Sequence, residues 1–243
     1  MGGGDGRGVI VMARYTSAYS SLVLNLDEVA VLRKSAAQLE RADPVRSSKQ
    51  IDALCRGAIV LLSSHLEAFI KELGELLLCR LFDRRVDRAL LDDKFFYHVS
   101  KGLIDDIKSN TNPKKISRAI FKFLHEDQDF WCKSDALPRT INADGFNRGF
   151  SNPKFDKIKS YLSRFGYHEY HGDLQKKLTK NFSGYKNMVD HVVDIRNLIA
   201  HGDTRAKRTP SDVKDMTDIV IQFCRATDDV FATWSKKMYC SIR

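Results

Sequence analysis

The chain is poor in the residues that build covalent or metal frameworks. Its five cysteines, Cys55, Cys79, Cys132, Cys224 and Cys240, are odd in number and scattered, with no C-x-x-C pair and no His/Cys cluster at zinc-ligand spacing. That excludes a disulfide scaffold and a zinc finger, and the thiols read as reduced, as in a cytoplasmic protein. Long hydrophobic runs are missing too. The densest, AIVLLSSHLEAFI, is broken by Ser63, Ser64, His65 and Glu67, short of the roughly 20 residues that a bilayer span needs, so no membrane partner is expected. The opening MGGGDGRGVIVMARYTS lacks the long apolar region of a secretory signal; residues 1–16 are expected to be a flexible N-terminal segment, with Met12 an alternative start. Also absent are a glycine-rich phosphate loop, H-E-x-x-H and G-x-S-x-G, which removes the P-loop, zincin and α/β-hydrolase chemistries. The pairs Asp92/Asp93 and Asp105/Asp106 read as helix surface, so neither a metal nor a cofactor is expected.

What is present suffices for a sizeable core: 243 residues, 43% of them hydrophobic. The net charge of +9 favours a polyanion as partner, with solvated basic faces as the alternative.

Apolar periodicity organises the chain into helices. A first runs from Ser17 to about Arg41, with Leu22, Leu24, Val29, Val31, Leu32 and Leu39 on its apolar side, and ends at RADP. A second, from about Ser47 through Phe82, is apolar on more than one side, as suits the central helix of a bundle. A third runs from about Ser183 or Lys186 to His201 and stops at Gly202; a fourth is opened by Thr209, Pro210 and Asp212 as N-cap, N1 and N3. Between the pairs lie shorter pieces, two of them opened by Asn-Pro at Asn112 and Asn152. The fold is therefore expected to be all-α, about four core helices in a single domain over residues 17–243, with a helical elaboration inserted at about 83–180.

The segment VVDIRNLIAHGD, Val192 to Asp203, carries the chemistry. Asp190, Asp194, Asn197 and His201 fall at steps of four, three and four, a polar stripe beside the apolar one. Arg196 stands roughly 140° around the axis and about 7.5 Å along it from His201, so the two meet only if the arginine curls round the helix or a second molecule completes the site. Arg, then four to six residues, then His occurs three times, at Arg118/His125, Arg164/His171 and Arg196/His201. Only the last has a polar residue directly after the arginine, an amphipathic helix before the histidine and a glycine after it. The structural alternative is simple: cations in the last turns of a helix are favoured by its dipole at about 0.3–1 kcal/mol each, with no catalysis required. The aromatic groups Phe95–Tyr97 and Asp129–Trp131 offer rings for stacking on bases, or are core.

RNLIAHG, Arg196 to Gly202, resembles the motif of the HEPN domains. RGAIVLLSSHLEAFIKEL, Arg56 to Leu73, and SNPKFDKIKSYLSRFGY, Ser151 to Tyr167, are similar to segments of the bacterial stand-alone ribonucleases of RiboL-PSP-HEPN type. The resemblance implies a helical domain that forms a homodimer with a shared active-site cleft and cleaves RNA without metal, leaving a 2′,3′-cyclic phosphate and a 5′-hydroxyl. It implies a toxin or antiviral defence effector, with an antitoxin or sensor protein as a further partner. His201 is then the general acid/base, Arg196 the phosphate and transition-state contact, and Asn197 an orienting or substrate-bonding group. Glu67 and His65 are candidate supporting residues, the former by pairing with Arg196, and Arg205, Lys207 and Arg208 are candidate RNA-binding residues. The rival reading is a HEPN-like module that binds RNA, a nucleotide or a protein without turnover.

Overall fold

The computed structural model describes residues 14–133, 135–203 and 207–243. Residues 1–13 of the N-terminal segment, and Arg205 with its neighbours 204 and 206, lie outside the described residues. The helices are α1 (Ser17–Ala42), α2 (Ser48–Asp83), α3 (Asp93–Val99), α4 (Lys101–Ser109), α5 (Pro113–Asp127), α6 (Ala143–Asn147), α7 (Phe155–Leu162), α8 (Tyr170–Leu178), α9 (Phe182–Ala200) and α10 (Pro210–Met238). Among the described residues the only extended pairing is a bridge between Asp87 and Ala136. The fold is all-α, as the periodicity predicts.

The core is an α1–α2 hairpin against which α9 and α10 pack, with α2 touching the other three. That position explains α2's composition. Cys55, Ala58, Ile59, Leu62, Leu66, Ile70, Leu73 and Leu77 are all fully buried although they lie on several sides, because each side has a neighbour. By length and composition α2 would also suit a membrane span, which corrects the reading that no stretch approaches that length; the helices around it account for the apolarity. On α1 the buried stripe runs through Tyr19, Leu22, Leu26, Val29 and Ala36. Leu24 and Val31, expected to face inward, are 70% and 61% exposed; each lies two residues, about 200°, past a buried Leu22 or Val29, and so on the opposite side. Thr16 caps α1 by accepting from the Tyr19 N–H, and its own N–H and hydroxyl bind buried Asp228 on α10, closing the first helix onto the last.

The inserted region shares this core through aromatic side chains. Phe146 packs on Phe165 at 4.8 Å, and Tyr167 stacks on Trp234 of α10 at 4.5 Å and 12°. Gly74 of α2 admits the Tyr161 ring: a Cβ there would lie 2.1 Å from its hydroxyl. That hydroxyl donates to Asn147, which donates to Glu75 of α2. Buried Arg164 donates to the Phe146 and Arg148 carbonyls. The arginine of the second Arg/His match is thus a structural tie. The first match, Arg118/His125, lies on the exposed surface of α5.

The two Asn-Pro starts differ. Asn112 is an N-cap, its side chain accepting from the Lys114 and Lys115 N–H groups, with Pro113 at the first helical position. Asn152 is not. Helix α7 begins at Phe155 with Lys154 as its N-cap, and Asn152 sits at φ +54°, the left-handed region that asparagine tolerates better than most residues.

Candidate functional site

The candidate site is the C-terminal end of α9. Val192 and Ile195 anchor one side in the core, and the helix ends on a Schellman arrangement: Gly202 (φ +78°) donates to the Ile199 carbonyl and Asp203 to the Leu198 carbonyl, both at 3.0 Å. His201, the C-cap, is held by its backbone N–H to the Asn197 carbonyl at 3.0 Å. Its ring is exposed and makes no hydrogen bond among the described residues.

The polar stripe of α9 does not simply face water. Asp190 accepts the Phe155 N–H at 2.7 Å, satisfying a free donor at the start of α7, and also bonds Lys186 at 3.2 Å. Asp194 pairs with Lys154 at 2.5 Å. The stripe is a seam that docks the α6–α7 loop onto α9.

That docking brings Asn152 to Arg196. The Arg196 Nη1–H group donates to Asn152 Oδ1 and to Asn197 Oδ1, both at 3.1 Å. Asn152 is fixed in turn: its N–H donates to Glu67 Oε2 at 3.3 Å and its carbonyl accepts from Lys154 N–H at 2.7 Å across Pro153. Glu67 is tied to Lys71 one turn along α2 at 2.7 Å. The order is therefore Lys71, Glu67, Asn152, Arg196, Asn197. Glu67 reaches Arg196 through Asn152 rather than by direct pairing. Asn152 is the residue that sequence reasoning missed; the sole signal for it is an asparagine before a proline, which reads equally as a helix start.

The structure does not bring the other candidates together in the same way. His65 lies toward α1, its Nε2 3.3 Å from a Glu28 carboxylate oxygen. Arg196 and His201 share no hydrogen bond within one protomer: the guanidinium is turned toward Asn152 and the imidazole stands at the helix end. Lys207 and Arg208 border a groove of about 270 Å³ between the end of α1, the start of α2 and the start of α10, where Glu40, Asp52 and Asp212 also stand. A wider groove, about 720 Å³, lies at α8 and the end of α10 and includes none of the motif residues. Of the aromatic groups, Phe95, Phe96 and Phe130 are core, while Trp131 is 42% exposed. The acidic pairs are engaged locally: Asp92 caps α3 and bonds His168 at 3.0 Å, and Asp105 pairs with Lys101 at 2.7 Å.

This arrangement can bind and polarise an anion. A guanidinium with one nitrogen held by neutral amides keeps its full charge, and its remaining N–H groups, without partners among the described residues, are available for bidentate contact with a phosphate. An exposed imidazole five residues on supplies a group that can accept and return a proton. No curated protein and no solved structure matches the chain. The family model described as RiboL-PSP-HEPN matches residues 25–233, a span that runs from α1 through most of α10 and includes the whole motif, and the chain belongs to that family.

Proposed function

We propose that the protein is a metal-independent endoribonuclease of HEPN type. In RNA the 2′-hydroxyl is a built-in nucleophile, so catalysis needs a proton acceptor and donor and a fixed positive charge for the phosphorane-like transition state. His201 would take the 2′-hydroxyl proton and return one to the leaving 5′-oxygen, and Arg196 would bind the phosphate. Asn197, bonded to Arg196 and one turn from His201, would orient the pair. The observation that carries the reading is the held guanidinium in the last turns of α9, with an exposed histidine five residues on at the helix end. Because the two side chains share no hydrogen bond within a protomer, a homodimer with a shared cleft, each copy supplying both, fits the geometry better than a monomer. The cell-level role that accompanies this chemistry is a toxin or defence effector acting in the cytoplasm, restrained by an antitoxin or sensor.

The same separation of Arg196 from His201 favours the second reading, an RNA-binding module without turnover. Incubation of an all-ribose strand in EDTA separates the two, since a module without turnover leaves it whole, and a strand carrying a single 2′-deoxy nucleotide at a mapped cleavage position then tests the nucleophile. The nuclease reading expects cleavage of the all-ribose strand in EDTA and none at the deoxy position. Cleavage at the deoxy position would rule out attack by the 2′-hydroxyl.

A further inference from the structure

The α4–α5 hairpin is the most exposed part of the inserted region. α4 has no buried residue, and α5 buries only Asp127, which is bonded to Arg139 at 2.9 Å. The two helices pack on each other, α4 also on α3 and α6, and α5 on the turn that follows it, leaving one side of α5 open. Phe121 on that side is 74% exposed, with Ile120 and Leu124 beside it at 41% and 45%. From Asn112 to His125 the chain carries four cations, Lys114, Lys115, Arg118 and Lys122, and no acid. All four are exposed. Among the described residues only Lys122 has an acidic partner, Glu126 at 4.0 Å.

The spacing arranges these groups. Lys114, Arg118 and Lys122 recur every four residues and so form one row, about 12 Å long. Phe121 lies beside that row, with Arg118 one turn before it and His125 one turn after. Trp131, bonded through its Nε1–H to the Ser100 hydroxyl at 2.9 Å and in edge contact with Phe123 at 5.8 Å, lies on the other side of the helix, against α3 and α4, because Phe123 is two residues, about 200°, past Phe121.

We propose that the open face of α5, with Phe121 at its centre, is a binding surface for single-stranded RNA, separate from the end of α9. A row of cations of which only Lys122 faces an acid binds phosphates, and an exposed ring beside it accepts an unpaired base, the combination by which single strands are held without sequence preference. Ile120 and Leu124 would suit any apolar partner. The regular cation row and the absence of acid over that stretch are what select a polyanion strand, and the surface works whether or not α9 cleaves.

The test uses the full chain carrying His201→Ala, so that RNA stays whole, and a fluorescently labelled single-stranded RNA of mixed sequence. Adding Phe121→Ala is expected to weaken binding about tenfold while leaving the thermal midpoint in place. Replacing Lys114, Arg118 and Lys122 together by Ala is expected to lower the slope of log affinity against log salt by about 2, because each phosphate that a cation neutralises on a single strand adds about 0.7 to that slope. Photocrosslinked RNA should map by mass spectrometry to the open face of α5, at or beside Phe121. Unchanged affinity and slope in both variants would overturn the proposal, as would crosslinks confined to α9. Phe121-dependent binding to vesicles containing phosphatidylserine, with RNA affinity indifferent to Phe121, would overturn it in favour of a membrane surface. A wild-type chain that never cleaves RNA but loses affinity with Phe121→Ala supports this surface and counts against the α9 nuclease reading instead.

Discussion

Replacing Asn152 by glycine separates the holding of Arg196 from the building of the loop that does it. Asn152 makes two backbone bonds, to Glu67 and Lys154, and one side-chain bond, from Arg196. Its φ of +54° is a conformation that glycine adopts freely. Asn152→Gly therefore keeps both backbone bonds and the turn, and removes only the amide that accepts from the guanidinium. A hydrogen bond to a charged group contributes about 1.5–3 kcal/mol. Arg196 is partly exposed and retains Asn197 as an acceptor, so the low end applies, about 1.5 kcal/mol, or roughly tenfold in kcat/KM if the bond matters equally in the transition state. Relief of the positive-φ strain offsets part of that loss in the folded chain, so unfolding stability should fall by no more than about 1.5 kcal/mol. Asn152→Asp keeps an acceptor and tolerates the same backbone region, so it should restore most of the activity. Asn152→Ala should lose both, since a Cβ without a compensating polar group is strained there by about 1–2 kcal/mol. Single-turnover cleavage of RNA, paired with urea unfolding of each variant, reads both quantities. Full activity in Asn152→Gly, or activity lost only in proportion to stability across the three variants, would refute the holding role.

Other outcomes follow from the packing and the buried groups. Gly74→Ala would place a Cβ against the Tyr161 hydroxyl and should destabilise by about 1–3 kcal/mol in urea unfolding; an unchanged midpoint would mean that α7 shifts freely on α2. Burial, reinforced by Arg164, Lys101 and Lys94, pushes the His98 imidazole down to about 4. The unfolded chain therefore takes up this proton near pH 6.5 and the folded chain does not, so stability falls as pH drops from 6.5 toward 4, by up to about 2 kcal/mol at pH 5. Buried Asp228, its carboxyl raised chiefly by desolvation, acts in the opposite direction, so the His98 effect is read as the difference in pH slope between wild type and His98→Gln; equal slopes would contradict it. Cys79 and Cys132 are exposed, while Cys55 and Cys224 are buried with thiols pushed up, Cys55 to about 11. Maleimide at neutral pH should label the first two in the native protein and the second two only in urea; native labelling of Cys55 or Cys224 at a similar rate would show that the core opens.

The helix ends were the most legible part of the chain because their signals are local. Thr209, Pro210 and Asp212 form the capping box that their spacing predicts, and Gly202 takes the positive φ that ends α9. The centrality of α2 was legible from apolar residues on more than one side. Long-range partners were not. The carboxylates of Asp190 and Asp194 are equally compatible with solvent and with a docked loop, and only the fold brings Phe155 and Lys154 to them. Asn112 and Asn152 precede identical Pro-Lys pairs, yet one caps a helix and the other turns left-handed to meet Arg196, because tertiary contact overrides the local preference. Periodicity on α1 is blurred by apolar residues on both sides, so Leu24 and Val31 could not be distinguished from the buried stripe without knowing where α2 lies.

The central claim is that Arg196 and His201 together make RNA cleavage possible. The direct measurement is cleavage of a mixed RNA pool in EDTA by the wild-type chain, by Arg196→Ala and by His201→Ala, with the fragment ends identified. The account predicts fragments ending in 2′,3′-cyclic phosphate and 5′-hydroxyl from the wild type and intact RNA from both variants. Equal cleavage by all three chains, or intact RNA from a wild-type chain that still binds it, would contradict the claim.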